Sequence, residues 1–155
     1  APPLRMCKFN IDGCSKGNPW PNGGGGILWE SLGNLIFAFS GFFGFGSSLR
    51  AEAKALLLGM QLCVQKGCNW IVIESDSMVL VQISKHTYQC PWSICSEVEQ
   101  ILDISHGVAL IQHCLREANK VADILANQGY ANSESLVCVY IDLRIYQRWL
   151  GANLD

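Results

Sequence analysis

No stretch of this 155-residue chain is long and apolar enough to span a bilayer. The most apolar run, Ala55 to Val64, is interrupted by Gln61 and flanked by Lys54 and Gln65, far short of the about 20 residues a spanning helix needs. The start, APPLRMCKF, lacks the charged region, apolar block and cleavage site of a signal peptide, so an intracellular protein, nuclear or cytoplasmic and not secreted, is expected. Position 1 is not Met, which fits a fragment. Eight cysteines contain no C-x-x-C pair; without that spacing and without a secretory signal, reduced and mostly buried thiols are expected instead of a disulfide framework or zinc site. There is no basic surplus either, since 11 Lys and Arg face 13 Asp and Glu for a net charge of -2. This argues against a broad basic surface for nucleic acid, unless cations mask part of the acidic set. With half its residues hydrophobic and no break in composition, the chain fits one domain able to bury a core.

What is present divides cleanly by period. Residues 6 to 12 read as a strand entering a Gly-, Asn- and Pro-dense loop. Gly25–Glu30 and Asn34–Gly41 read as a hairpin turning at Leu32-Gly33-Asn34. From Ser48 the pattern turns helical, with Leu49, Ala53, Leu56, Leu57, Met60 and Val64 on one stripe, Ser47 or Ser48 as N-cap and Gly67 past the end. Trp70–Glu74 is a continuous apolar run, the pattern of a strand buried on both faces. Ser75-Asp76-Ser77 opens a helix to about Ile83, His86–Trp92 is a loop, and a helix spans about Ser93–Ile104. Val108–Leu115 is a fifth strand and Asn119–Tyr130 a last amphipathic helix. The order β-β-β-α-β-α-α-β-α predicts an α/β (α+β) domain over residues 6–130, a five-stranded mixed sheet of three antiparallel strands then two parallel ones, flanked by helices. Residues 131–155 form a C-terminal extension in which VCVYIDLRIYQRWL fits a strand or a helix equally well.

Four acids fall at element boundaries: Asp12 at the close of MCKFNI, Glu52 in the first turn of the long helix, Asp76 after WIVIES, and Asp123 early in the last helix. Each alone has an ordinary explanation as a turn residue, a helix-dipole partner or an N-cap. Jointly they mean more. The two most apolar strands should be central neighbours, so their ends emerge at one sheet edge, where ligands gather. Four like charges in a small volume must either raise their pKa values or be neutralised by divalent cations. An all-carboxylate set without His or Cys suits a hard cation such as magnesium. Two such ions roughly 4 Å apart can activate water and stabilise a leaving oxygen in phosphodiester hydrolysis.

The segments FNIDGCSKGNPWPNGGGGIL, RAEAKALLLGMQL, IVIESDS and HCLREANKVADILA, in that order, resemble type 1 ribonuclease H domains, most closely the reverse-transcriptase-like ones abundant in plant genomes and retroelements. The resemblance covers about residues 6 to 130. It implies that Asp12, Glu52, Asp76 and Asp123 hold two Mg2+ or Mn2+ ions and that the domain cuts the RNA strand of an RNA/DNA hybrid, leaving 5'-phosphate and 3'-hydroxyl ends. It also implies that Gly13, Cys14, Ser15 and Asn18, after the first Asp, grip the RNA strand, where the 2'-hydroxyl distinguishes RNA from DNA. Other domains of a larger polyprotein are implied as partners, with no membrane and a monomeric state.

The chain departs from that family in three places. The helix entry Ser47-Ser48-Leu49-Arg50 lacks the base-touching Asn residues often found there. The loop before the last Asp, LREANKVAD, has no His; His113 is expected inside the fifth strand as a packing or hydrogen-bonding residue, and Arg116 is the substitute that can hold a phosphate, though not act as a base. Residues 84–92 carry only Lys85 and His86 where some members have a basic hybrid-binding protrusion, so affinity should be weak and salt-sensitive. Phe42, Phe43 and Phe45 are expected to pack under a loop. These departures support an alternative, a catalytically weak or inactive module that binds nucleic acid or protein. A proofreading-type exonuclease would need a second acid two residues after Asp12, where Cys14 stands.

Overall fold

Cys7, Phe9 and Ile11 alternate with Met6, Lys8 and Asn10, which makes one face of the first strand apolar and places it at the centre of a sheet. The computed structural model describes residues 6–15, 20–68, 70–86, 89–107, 109–131 and 137–140. Its elements are β1 (Met6–Ser15), β2 (Trp20–Glu30), β3 (Leu35–Gly46), α1 (Ser48–Gln65), β4 (Trp70–Ser75), α2 (Met78–Ser84), α3 (Cys95–Ser105), β5 (Ala109–His113), α4 (Lys120–Ala131) and β6 (Val137–Tyr140), with single 3-10 turns at Trp92–Ile94 and Arg116–Asn119. The sheet order is β5-β4-β1-β2-β3-β6. β1, β2 and β3 pair antiparallel, and β1, β4 and β5 parallel. The five-stranded mixed sheet is therefore as expected, and β6 adds a sixth strand antiparallel to β3 at Ala38–Gly41. Within the ambiguous extension, Val137–Tyr140 is thus a strand, and residues 141–155 lie outside the described residues.

α1, α2 and α3 cover one face. Phe9, Ile11, Ile71, Ile73, Leu56, Met60, Leu80, Ile94 and Ile101 are all buried there, and the Phe9 ring lies 6.1 Å from both Phe37 and Phe39. Burial of side chains this size contributes roughly 1.5–3 kcal/mol each. Ser47 caps α1, accepting from the Arg50 amide at 3.2 Å. The buried stripe of α1 includes the expected Ala53, Leu56 and Met60, but Val64 is exposed and Ala51, Ala55 and Gly59 join instead. Small residues are needed because the Phe9 ring fills the space a side chain at Gly59 would take.

Among the described residues, α4 is the helix that packs on the opposite face, over β1, β2 and β3. The glycine-rich segment, expected to be loop, is largely strand: Asp12–Ser15 pair with Gly25–Asn22, and Gly23 to Gly26 pair on their other side with β3. Turn chemistry is not why these glycines are there. A Cβ at Gly23 or Gly25 would collide with the backbone of α4, and one at Gly13 with the backbone of Glu52 on α1. The glycines let two helices close on the strands from opposite sides.

β4 is less covered on the α4 side than on the other. The apolar run 70–74 predicted burial on both faces, yet only Ile71, Ile73 and Ser75 are buried while Trp70, Val72 and Glu74 are half-buried. A continuous apolar run reports that one face must be covered, and here the second is covered only at its rim. Among the described residues, no helix is long and apolar enough to cross a membrane. Phe43 packs on the core and not under a loop, whereas Phe45 is 68% exposed with Phe42 edge-on at 6.4 Å.

Candidate active site

Register places the first two acids. The parallel pairing of β1 and β4 ends at Ile11–Ser75, so the next residue on each chain is Asp12 and Asp76. Asp12 is not at a strand end as expected: β1 continues to Ser15 against β2 after β4 has turned away. Asp76 is not the cap of α2 either, because the Ser77 hydroxyl accepts from the Leu80 amide at 3.3 Å. That leaves the Asp76 carboxylate for other work.

The other two acids come from the helices that clasp β1. Glu52 is in the second turn of α1, not the first, so a helix-dipole role is weakened and its position is set by the contact of Gly13 with its backbone. Asp123 is in the first turn of α4, as expected. Asn119, buried, docks that helix: its amide donates to the Ile11 carbonyl at 2.8 Å and accepts from the Asn10 amide at 3.2 Å. One helical turn further on, Asp123 stands near enough to Asp12 for its charge to raise the Asp12 carboxyl.

Asp12, Glu52 and Asp76 each offer an oxygen within 4.8 Å of the others. The four acids line an open cavity of about 340 Å3 together with Gly13, Cys14, Ser15, Ser48, Arg116 and Asn127. Every predicted site residue is thus brought together except Asn18, which lies outside the described residues. Sequence reasoning missed Asn119 and Asn127. Their only signal was an Asn at each end of a helical pattern, which reads equally as capping or surface.

The charges are poorly compensated. Burial, then the charges of Asp76, Asp123 and Glu52, push Asp12 up to about 8. Burial pushes Glu52 up to about 7, with the Asp76 charge adding and the Ser77 hydrogen bond and Arg116 opposing. Arg116 reaches Asp76 at 3.7 Å but its side chain is 85% exposed, so this pair contributes little. The Gly13 amide donates to Asp12 at 2.9 Å. His113, expected to pack, ends β5 exposed to solvent. A hard divalent cation fits this donor set: three carboxylate oxygens close enough to share it, no His or Cys within that trio, and an excess of negative charge it would cancel.

The reverse transcriptase-like family matches residues 10–129. A "putative ribonuclease H protein" of Arabidopsis thaliana is 30% identical over 139 residues, covering 86% of this chain and 22% of that protein; the chain spans about a fifth of its relative. The ribonuclease H1 of the archaeon Halobacterium salinarum superposes with a TM-score of 0.78 at 22% identity, covering 82% of this chain and 98% of that one. LC11 ribonuclease H1, solved in complex with an RNA/DNA hybrid, superposes with a TM-score of 0.77 at 23% identity, covering 83% and 99%. At such identities the likeness concerns the fold, which is that of type 1 ribonuclease H domains.

Proposed function

The chain belongs to the reverse transcriptase-like family, and from that premise we propose that it is a ribonuclease H, a phosphodiester hydrolase that cuts the RNA strand of RNA/DNA hybrids internally, leaving 5'-phosphate and 3'-hydroxyl ends. The observation that carries the reading is the approach of Asp12, Glu52 and Asp76 to within 4.8 Å, with Asp123 lining the same cavity. These four would hold two Mg2+ or Mn2+ ions, which, when bound, supply the Lewis acidity that activates water and stabilises a leaving oxygen.

The chain's own residues bind and orient. The backbone of β1 from Gly13 to Ser15 runs along the cavity wall, where its amides and the Cys14 and Ser15 side chains can meet 2'-hydroxyls of an RNA strand; Asn18 is assigned the same role. The solvent-facing guanidinium of Arg116 is suited to a phosphate oxygen. Raised carboxyl pKa values tie ion binding to pH, because the ligands must be deprotonated first; affinity should therefore strengthen as pH rises through 7 and 8. The same reading takes the domain as an intracellular monomer, residues 6–130, working beside other domains of a longer polyprotein.

The test is cleavage of a labelled hybrid at low salt with Mg2+ or Mn2+. Internal cuts confined to the RNA strand are expected; an intact hybrid, where a reference ribonuclease H cuts it, would sink the proposal. A second reading, a module that binds nucleic acid or protein without cutting, draws on the turn before α4, which among its described residues 114–119 offers Arg116 and no His. Calorimetric titration with Mn2+ separates the two, since Asp12→Asn should cost a nuclease most of its ion affinity and leave a pure binding module indifferent.

A further inference from the structure

We infer that Asn127 is a positioning residue that sets the stance of Asp123 and couples it to the strand expected to touch substrate. This inference rests on the reading of the four acids as ion ligands. Asp12, Glu52 and Asp76 are mutually within 4.8 Å, and Asp123 is not of that set. What stands beside Asp123 is Asn127, one turn on in α4. Its amide nitrogen donates to the Asp123 main-chain carbonyl at 2.9 Å and to the Asp123 carboxylate oxygen Oδ1 at 3.2 Å. Its amide oxygen accepts from the Cys14 thiol at 3.4 Å.

The arrangement has a direction. The Asp123 carbonyl and carboxylate can only accept, so they fix the NH2 end of Asn127 toward α4 and leave its oxygen to the Cys14 thiol. A donor on one carboxylate oxygen restricts the rotation of the group. Partners of this kind orient ligands without touching the ion. Because Cys14 lies on β1 in the wall expected to meet the RNA strand, a shift of Cys14 on substrate binding is transmitted through a single amide to Asp123. By reciprocity, ion binding at Asp123 changes substrate affinity by the same factor.

Mn2+ binding by calorimetry, with electron paramagnetic resonance counting bound ions, tests this on the whole chain. Asn127→Ala should weaken the second, Asp123-dependent ion by about tenfold while leaving the first within about twofold. Its Tm should hold or rise, because Ala is the better helix former. Cys14→Ala should weaken the same ion by a smaller factor, and the double variant should be no worse than Asn127→Ala, as expected of residues in one chain of contacts. Asn127→Ala binding both ions as the wild type does, or losing both together with its Tm, would overturn the inference alone. A wild-type chain that binds no Mn2+ would overturn the reading of the four acids and this inference with it.

Discussion

Glu74 and Asp76 are two residues apart on one strand end, yet their surroundings are opposite. Glu74 is satisfied on every side: Lys8 at 3.1 Å, the Gln112 amide at 3.3 Å and the Asn10 amide at 3.3 Å all donate to it. Asp76 has two other carboxylates within reach and one loosely held, exposed arginine. The same residue class at the same sheet edge is structural where cations and amides converge on it, and available for chemistry where acids do. Compensation distinguishes the two, and burial does not: both side chains are 13% exposed.

The largest effect that would break this contrast is on activity. Asp76→Asn should lower cleavage more than about 100-fold, beyond the 10- to 100-fold typical of groups that merely support a ligand, with Tm unchanged or higher because a repelling charge is gone. A melt showing collapse would make Asp76 structural after all. The reverse is expected of Glu74→Ala, which strands the Gln112 amide, takes one of two acceptors from Asn10 and costs about 2 kcal/mol, read by urea denaturation, while ion binding stays intact.

A smaller effect follows from pH. Asp12, raised from 3.8 to about 8 without metal, keeps its proton in the folded chain over a range where the unfolded chain has lost it. Stability from this group is full below about pH 4 and falls as pH rises toward 8. Metal-free protein should therefore lose about 1 kcal/mol or more between pH 5 and 8, or about 3 °C in Tm, and Mn2+ should restore it. A Tm flat with pH would mean the four acids are compensated by something else. Smallest of all, Lys8→Ala should cost under about 0.5 kcal/mol, since Lys8 is half exposed; a larger loss in a thermal melt would show that the Lys8–Glu74 pair holds the strand end.

The same contrast explains what could be read in advance. Four acids read in family order do meet at one cavity, because strand register and helix packing bring their positions to one sheet edge. The five strands of the sheet followed from period, since Phe9, Ile11, Ile71 and Ile73 must share one covered face. The glycine-rich run was misread as a loop because glycine signals close approach as readily as a turn, and which it is depends on helices distant in sequence. Trp70 and Val72 suggested burial on both faces because an apolar run cannot say which of its faces finds a partner. Asn119 and Asn127 stayed hidden for a related reason: an amide is informative only once its partners at Ile11, Cys14 and Asp123 are brought to it.

That glycine-paved passage of β1 between α1 and α4 has a further consequence, for the timing of activity. The four acids come from residues 12, 52, 76 and 123, and the last arrives only when α4 closes over Gly23 and Gly25. Pairings so distant in sequence form late and slowly. A chain still emerging from the ribosome, or one opened at its last helix, holds the first three acids without the fourth. If the four acids work as proposed, competence would wait for the last helix to close.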